Sequence, residues 1–406
     1  MDSLVTAAGR ALAQGDLLGA LKRVALRDDA PALAIRGIVM ARLGDRVRAR
    51  SLLRSAARAF GPREAVSRAR CVVAEAEIAL VSRDLNWAAN DLEAARTTLE
   101  GEGDRVNAAH ARCLQIRYLL LIGRLDEAER ALAELDTALL PPASRAAHDL
   151  VVAGIAIRRI RTQAARAALR RAEGAAREAR IPELLAEVET ATLALERPAA
   201  RLIAEGKERL LLLEQVESLL ASGAFIVDGC RNVVRHANTV VLLASRPVLF
   251  SLVRALAEAW PGDVSREKLV EQAFRGKSAD ESYRARLRVE IGRLRTALRP
   301  LAGVNATIRG FTLAPHSAGE IVVLAWPLEE ENAPVLAFLA DGESWSSSAL
   351  ALALGSNQRS IQRALDALAE EGKVQALGRG RTRRWMTPIM TGFTTTLLLP
   401  APLPSD

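Results

Sequence analysis

Aromatic side chains are scarce in this chain: Tyr, Phe and Trp together make up 3% of its 406 residues. Ala, Leu and Arg dominate instead, a composition that favours helix over strand. Cysteine is also sparse. Cys71, Cys113 and Cys230 lie far apart, and no two have the spacing of a metal or redox motif; a small, odd count fits a reducing compartment. No uncharged apolar run reaches the ~18 residues that a spanning helix requires. The start, Met1-Asp2-Ser3, lacks the basic and apolar regions of a leader peptide. The expected location is therefore cytoplasmic, in association with the bacterial nucleoid. The four histidines, His110, His148, His236 and His316, are not spaced with one another, with cysteine or with carboxylates as ligands or as a catalytic triad. Gly276-Lys277-Ser278 has the look of a phosphate loop, but the glycine required five residues earlier is Glu271 and no buried strand precedes it. The expectation is a non-enzyme without catalytic residues, metal or cofactor.

Half of the chain is apolar, and its length suffices for two or three domains with real cores. Its formal charge of +8 suggests a polyanionic partner. An Arg/Ala-rich composition alone gives a high net charge, so only a local cluster of cations points to a polyanion-binding surface.

Residues 1–200 carry almost no strand signal. Apolar residues recur there at i, i+3, i+4, and a short pattern repeats with drift: Gly15 with Ala20, Gly44 with Ala49, Arg83 with Ala88, Gly123 with Ala128, and a degenerate copy ending at Ala165. The alanines are separated by 29 to 40 residues, the range of stacked helix pairs. The Gly opens the turn, and the small Ala lets the second helix pack closely on the first. The segment GRLDEAERALAELD is the best copy, and the region resembles tetratricopeptide repeats with long, irregular units. Residues 201–222 read as a charged helical connector.

From 223 the period changes. FIVDG, RNVVRHA and TVVLLAS are short strand-like runs, followed by an apolar helix over 247–259. Ser265 can cap the helix that begins in VSREKL. Further on, Leu287, Ile291, Leu294 and Leu298 fall on one helical stripe and should be buried. That leaves Arg286 and Arg293 on one exposed flank, Arg288 and Arg299 on the other, and Arg295 at the core edge. Six arginines and one acid fall between 282 and 299, a local charge of +5. A guanidinium fork suits guanine edges and phosphates. The ordered set SRPVLFSLVRALAEAWPGDVSREKLVEQAF, YRARLRVEIGRLRTALRP and ATIRGFTLAP resembles the winged-helix effector domain of OmpR/PhoB-type response regulators. The resemblance covers 223–317. It implies DNA contact by Arg286, Arg288, Arg293, Arg295 and the wing residue Arg309. The wing is shortened to Arg309-Gly310-Phe311, which argues against its insertion into a minor groove, and no receiver domain is expected beside it.

Residues 318–388 begin with a strand over 321–327 and continue as helix, helix, Gly-Ser-Asn turn, helix and hairpin. This resembles the winged helix-turn-helix of bacterial repressors. Ile361, Ala364, Leu365 and Leu368 form its buried stripe, leaving Arg359, Gln362 and Arg363 outward. The hairpin adds Arg379, Arg381, Arg383 and Arg384 without an acid. Residues 389–406 form a tail without an assigned role. The expected fold is mainly α: a helical-repeat solenoid followed by two winged helix-turn-helix (α+β) domains. The expected function is sequence-specific binding of double-stranded DNA by a transcription regulator, with the repeats open to a protein or small-ligand partner and homodimerisation compatible. The alternative is a repeat scaffold whose winged helices dock proteins or dimerise. No membrane partner is expected.

Overall fold

The computed structural model of the chain describes residues 3–85, 89–137, 140–274, 281–317, 319–327, 332–339, 344–378, 380 and 383–387. They are mainly helical, and every strand among them lies at or beyond residue 200. No described helix is long and apolar enough to cross a membrane. The described residues divide into two compact units: one from Met1–Arg159, Gln163–Thr192 and Pro334–Asp406, the other from Ile160–Thr162 and Leu193–Ala333.

The first unit opens with α1 (Ser3–Ala13), α2 (Leu17–Val24), α3 (Ala30–Arg42), α4 (Arg46–Ala59), α5 (Ala65–Val81), α6 (Ala89–Gly101), α7 (Arg105–Leu121), α8 (Leu125–Ala133) and α9 (Pro142–Arg158). Next come α10 (Thr162–Ala179) and α11 (Pro182–Glu196). Neighbours pack on one another: α1 on α2, α3 on α4, α5 on α4 and α6, and α7 on α6 and α8. The turns obey the spacing found in the sequence. Gly15, Gly44, Arg83 and Gly123 all have left-handed backbones, and so does Ile160 in the degenerate copy. Five residues after each stands the alanine; Ala20, Ala49, Ala128 and Ala165 are fully buried. Ala88 lies outside the described residues. Gly103 with Ala108 is a further copy, which the sequence pattern does not single out. The aspartates after the turns cap the next helices: Asp16, Asp45 and Asp104 accept from the amides of Gly19, Arg48 and Asn107. α3 and α4 approach so closely that a Cβ on Gly37 would stand 2.8 Å from Cγ of Leu53.

The same unit holds the C-terminal elements α16 (Ala333–Leu339), α17 (Ser347–Ala353), α18 (Gln358–Glu370), β10 (Gln375–Leu377) and β11 (Arg384–Met386). Ser346 and Asn357 cap α17 and α18. Trp345 joins β11, its main chain exchanging hydrogen bonds of 2.8 and 2.7 Å with Trp385. The core of these elements, including Leu339, Trp345, Leu350, Ile361, Leu365 and Trp385, is continuous with Val73, Leu80, Leu92, Leu99 and Leu114 of α5 to α7. The C-terminal module therefore shares a hydrophobic core with helices that precede it by more than two hundred residues.

The second unit is built on a six-stranded sheet. Its strands are β1 (Ala200–Ala204), β2 (Lys207–Leu211), β3 (Phe225–Asp228), β4 (Val233–His236), β5 (Thr239–Leu242) and β9 (Ile321–Ala325), in the order β2-β1-β9-β3-β4-β5. Two sequence expectations change here. Residues 201–222 open as the hairpin β1–β2, turned at Glu205 and Gly206, both with positive φ, and only α12 (Leu213–Ala221) is helical. The strand at 321–325, expected to begin the second module, instead runs between β1 and β3. Being central, β9 is buried on both faces. Ile321, Val323 and Ala325 face one core, and Val322 and Leu324 face another with Val216 of α12. That two-sided burial explains its unbroken apolar run.

The larger core of this unit also takes in α13 (Pro247–Glu258), α14 (Arg266–Phe274), α15 (Glu281–Leu298) and a small sheet, β6 (Val264–Ser265), β8 (Gly310–Pro315) and β7 (Ala302–Ala306), in the order β6-β8-β7.

Candidate nucleic-acid interface

Helix α15 separates its faces as its spacing predicts. Leu287, Ile291, Leu294 and Leu298 are buried, Leu294 and Leu298 completely. Arg284, Arg286, Arg288, Arg293, Arg295 and Arg299 are exposed. Between the two arginine flanks lie Ala285, Val289, Gly292 and Thr296, all exposed and all short, so another molecule's surface can approach the helix backbone closely. Three arginines already have contacts. Arg286 stands over the Phe274 ring at 4.7 Å. Arg293 pairs with Glu290 at 2.8 Å, and that carboxylate is itself buried. Arg284 lies 3.8 Å from Glu267. Arg288 and Arg299 are exposed and form no ion pair with another described residue.

Arg295 has a different part. Its Nε donates to the Val304 carbonyl of β7 at 2.8 Å, and its guanidinium lies 5.9 Å from the Phe311 ring centre. It tethers the end of α15 to the β7–β8 hairpin. Arg266 acts from the other direction, donating to the carbonyls of Ile308 (3.0 Å) and Thr307 (3.1 Å) and stacking on Phe311 at 5.3 Å. Sequence reasoning misses Arg266: it reads only as the start of a helix, and its partners lie more than forty residues on. Gly310 allows β8 to lie close against β6, its antiparallel partner, since a Cβ there would fall 1.8 Å from the Val264 carbonyl oxygen. Arg309 stands exposed at the hairpin tip.

In the C-terminal module, Arg359 and Arg363 are exposed on α18. Gln362 is half-buried and donates to Asp366 at 3.0 Å. Arg383 stacks on Trp385 at 4.1 Å and lies 3.7 Å from the same Asp366. Arg379 and Arg381 lie outside the described residues. Arg384 departs from the expected outward placement: it is half-buried and donates from Nη1 to the carbonyls of Ser82 (3.2 Å) and Arg83 (3.3 Å). Burial lowers its pKa from the usual arginine value, against the pull of Asp84. In the sequence it belongs with the basic hairpin, because nothing local signals that this strand faces α5.

Burial pushes the thiols of Cys71, Cys113 and Cys230 up to about 12. Among the described residues no three His, Cys, Asp or Glu side chains gather where they could hold a metal ion. The chain matches no known family model, no curated protein and no solved structure.

Proposed function

We propose that this protein is a DNA-binding transcription regulator of the cytoplasm, with no enzymatic activity, carrying two winged-helix modules and a helical-repeat region that resembles tetratricopeptide repeats. The observation that carries the reading is the exposed face of α15. Short side chains run along its centre, and Arg286 and Arg293 on one side and Arg288 and Arg299 on the other form the walls. A helix of this kind fits a major groove, with its flanks on the phosphates and its centre on the base edges. Val289, 55% exposed at the centre, suits a thymine methyl. The order α13, α14, α15, β7, β8 supports the winged-helix reading of this unit.

In the C-terminal module the order α16, α17, α18, β10, β11, with Arg359 and Arg363 exposed on α18, supports a second winged helix and a second DNA contact. One observation favours the scaffold alternative for that module alone. It already shares its core with α5 to α7, so its packing surface serves protein contact within the chain. A gel-shift series on the full chain at several salt concentrations tests the proposal. DNA binding with a steep negative salt slope supports it; absence of binding at low salt refutes it.

A further inference from the structure

The tip of the β7–β8 hairpin is a two-residue loop closed between Thr307 and Gly310, whose main-chain N–H···O bond is 2.9 Å long. Its two residues are Ile308 and Arg309. Loops of this size favour Gly, Asn and Asp, and a β-branched residue gains nothing there conformationally. Ile308 is nonetheless the most exposed large apolar residue among those described, at 101% of its reference area. A single exposed apolar side chain is ordinary; the bracing of the backbone that carries this one is not. Arg266 takes the carbonyls of both Thr307 and Ile308 and is itself stacked on Phe311. Thr307 Oγ1 donates to Asp263 at 2.6 Å and accepts from the Gly310 amide at 2.9 Å. Arg295 binds the same hairpin to α15 through the Val304 carbonyl. The tip and the arginine-flanked helix thus belong to one braced platform.

Rigid presentation of an apolar side chain beside a cation is what prying apart a base step requires. A mobile tip would turn aside, and a polar one would be solvated in the groove. We infer that Ile308 is a wedge that enters the DNA minor groove beside the α15 site and unstacks one base step, with Arg309 on the groove edge or an adjacent phosphate. The inference rests on the DNA-binding reading above and adds that the bound duplex is bent. It reverses the expectation drawn from the shortened wing: a short hairpin reaches less far, but a fixed one need only insert a single side chain. Apolar wedges of this kind kink DNA by about 20–90°.

The test uses the full chain and a duplex of about thirty base pairs recovered from random sequence by repeated selection on that chain, a length chosen to exceed one helical turn for each of two modules. Donor and acceptor dyes at its ends report bending, and 2-aminopurine placed along it reports unstacking. Wild-type protein should raise energy transfer and brighten 2-aminopurine at one step. Ile308→Ala should bind within about tenfold of wild type but leave the duplex straight and the probe dark, and Ile308→Leu should restore both signals; that pattern supports the wedge. Binding without bending by wild type, or equal bending by Ile308→Ala, overturns the wedge and leaves the DNA-binding reading standing. If selection recovers no duplex at all, the DNA-binding reading fails and the wedge with it.

Discussion

Arg384 and Ser82, 302 positions apart in sequence, are joined by a 3.2 Å hydrogen bond from the Arg384 guanidinium to the Ser82 carbonyl at the end of α5. The adjacent carbonyl of Arg83 accepts from the same nitrogen, and the Arg83 guanidinium lies 5.5 Å from the centre of the Trp345 ring. A cation at a helix C-terminus is favourably placed against the helix dipole. The bond therefore fastens the C-terminal hairpin to the helical region. Arg384→Ala should lower the stability of this unit by about 1–3 kcal/mol, since it removes a charged donor and leaves two carbonyls short of a partner. Urea denaturation followed by tryptophan fluorescence measures this. A variant as stable as wild type with weakened DNA affinity would return Arg384 to the interface.

On α15 the cleanest substitutions are Arg288→Ala and Arg299→Ala, because neither side chain is ion-paired with another described residue. Each should weaken DNA binding by about 1–3 kcal/mol if it reads a base, and by less if it meets only a phosphate. Melting temperature should not move. Arg293→Ala should weaken binding too, but it also strips the partner from the buried Glu290, so its melting temperature should fall. Fluorescence anisotropy and thermal melts on the same preparations separate these effects.

A fragment spanning 193–327 should fold alone and retain DNA binding through α15. A fragment starting at 222 removes β1, which pairs with β9, and leaves a central strand as a bare edge. Such edges aggregate. Size-exclusion chromatography of the two fragments should give a monodisperse peak for the longer and aggregate for the shorter. Equal behaviour of the two would show that the β1–β2 hairpin is dispensable.

The cysteines should resist alkylation in the folded state. With thiols raised to about 12 by burial, the thiolate fraction at pH 8 is on the order of 10⁻⁴. Iodoacetamide should label the native protein far more slowly than the urea-unfolded chain. Labelling of Cys230, the partly exposed member of the three, at the unfolded rate would contradict this.

Much of the architecture is written in local signals. The Gly–Ala spacing of the helical region works because a left-handed residue reverses the chain and a small side chain five positions on sits at the helix contact, both short-range requirements. The buried stripe of α15 is equally local, fixed by the helical period. Residues 201–222 read wrongly as one helix because Leu210-Leu211-Leu212 fits helix and strand alike, and the deciding signal, the Glu205-Gly206 turn, is only two residues long. Strand β9 reads as the start of the C-terminal module because its pairing with β1 and β3 is invisible along the chain. Arg384 and Arg266 show the same gap at the candidate site. Only distant partners separate a bracing arginine from one left for a ligand.

The C-terminal module gives its own test. Removing the charges of Arg359, Arg363 and Arg383 should shorten the DNA footprint of the full chain, and the salt slope should flatten by about 0.9 for every phosphate that is no longer neutralised. If footprint and slope stay as in wild type while the mass in solution changes, the module's exposed face serves protein association instead.

The most direct measurement is the salt dependence of DNA binding by the full chain, compared with the quadruple variant Arg286→Ala, Arg288→Ala, Arg293→Ala, Arg299→Ala. For wild type, log affinity should fall linearly with log salt concentration, and the variant's slope should be shallower by about 0.9 for each arginine that meets a phosphate. Equal slopes and equal affinities for the two proteins, with both folded, would contradict the assignment of α15 to DNA.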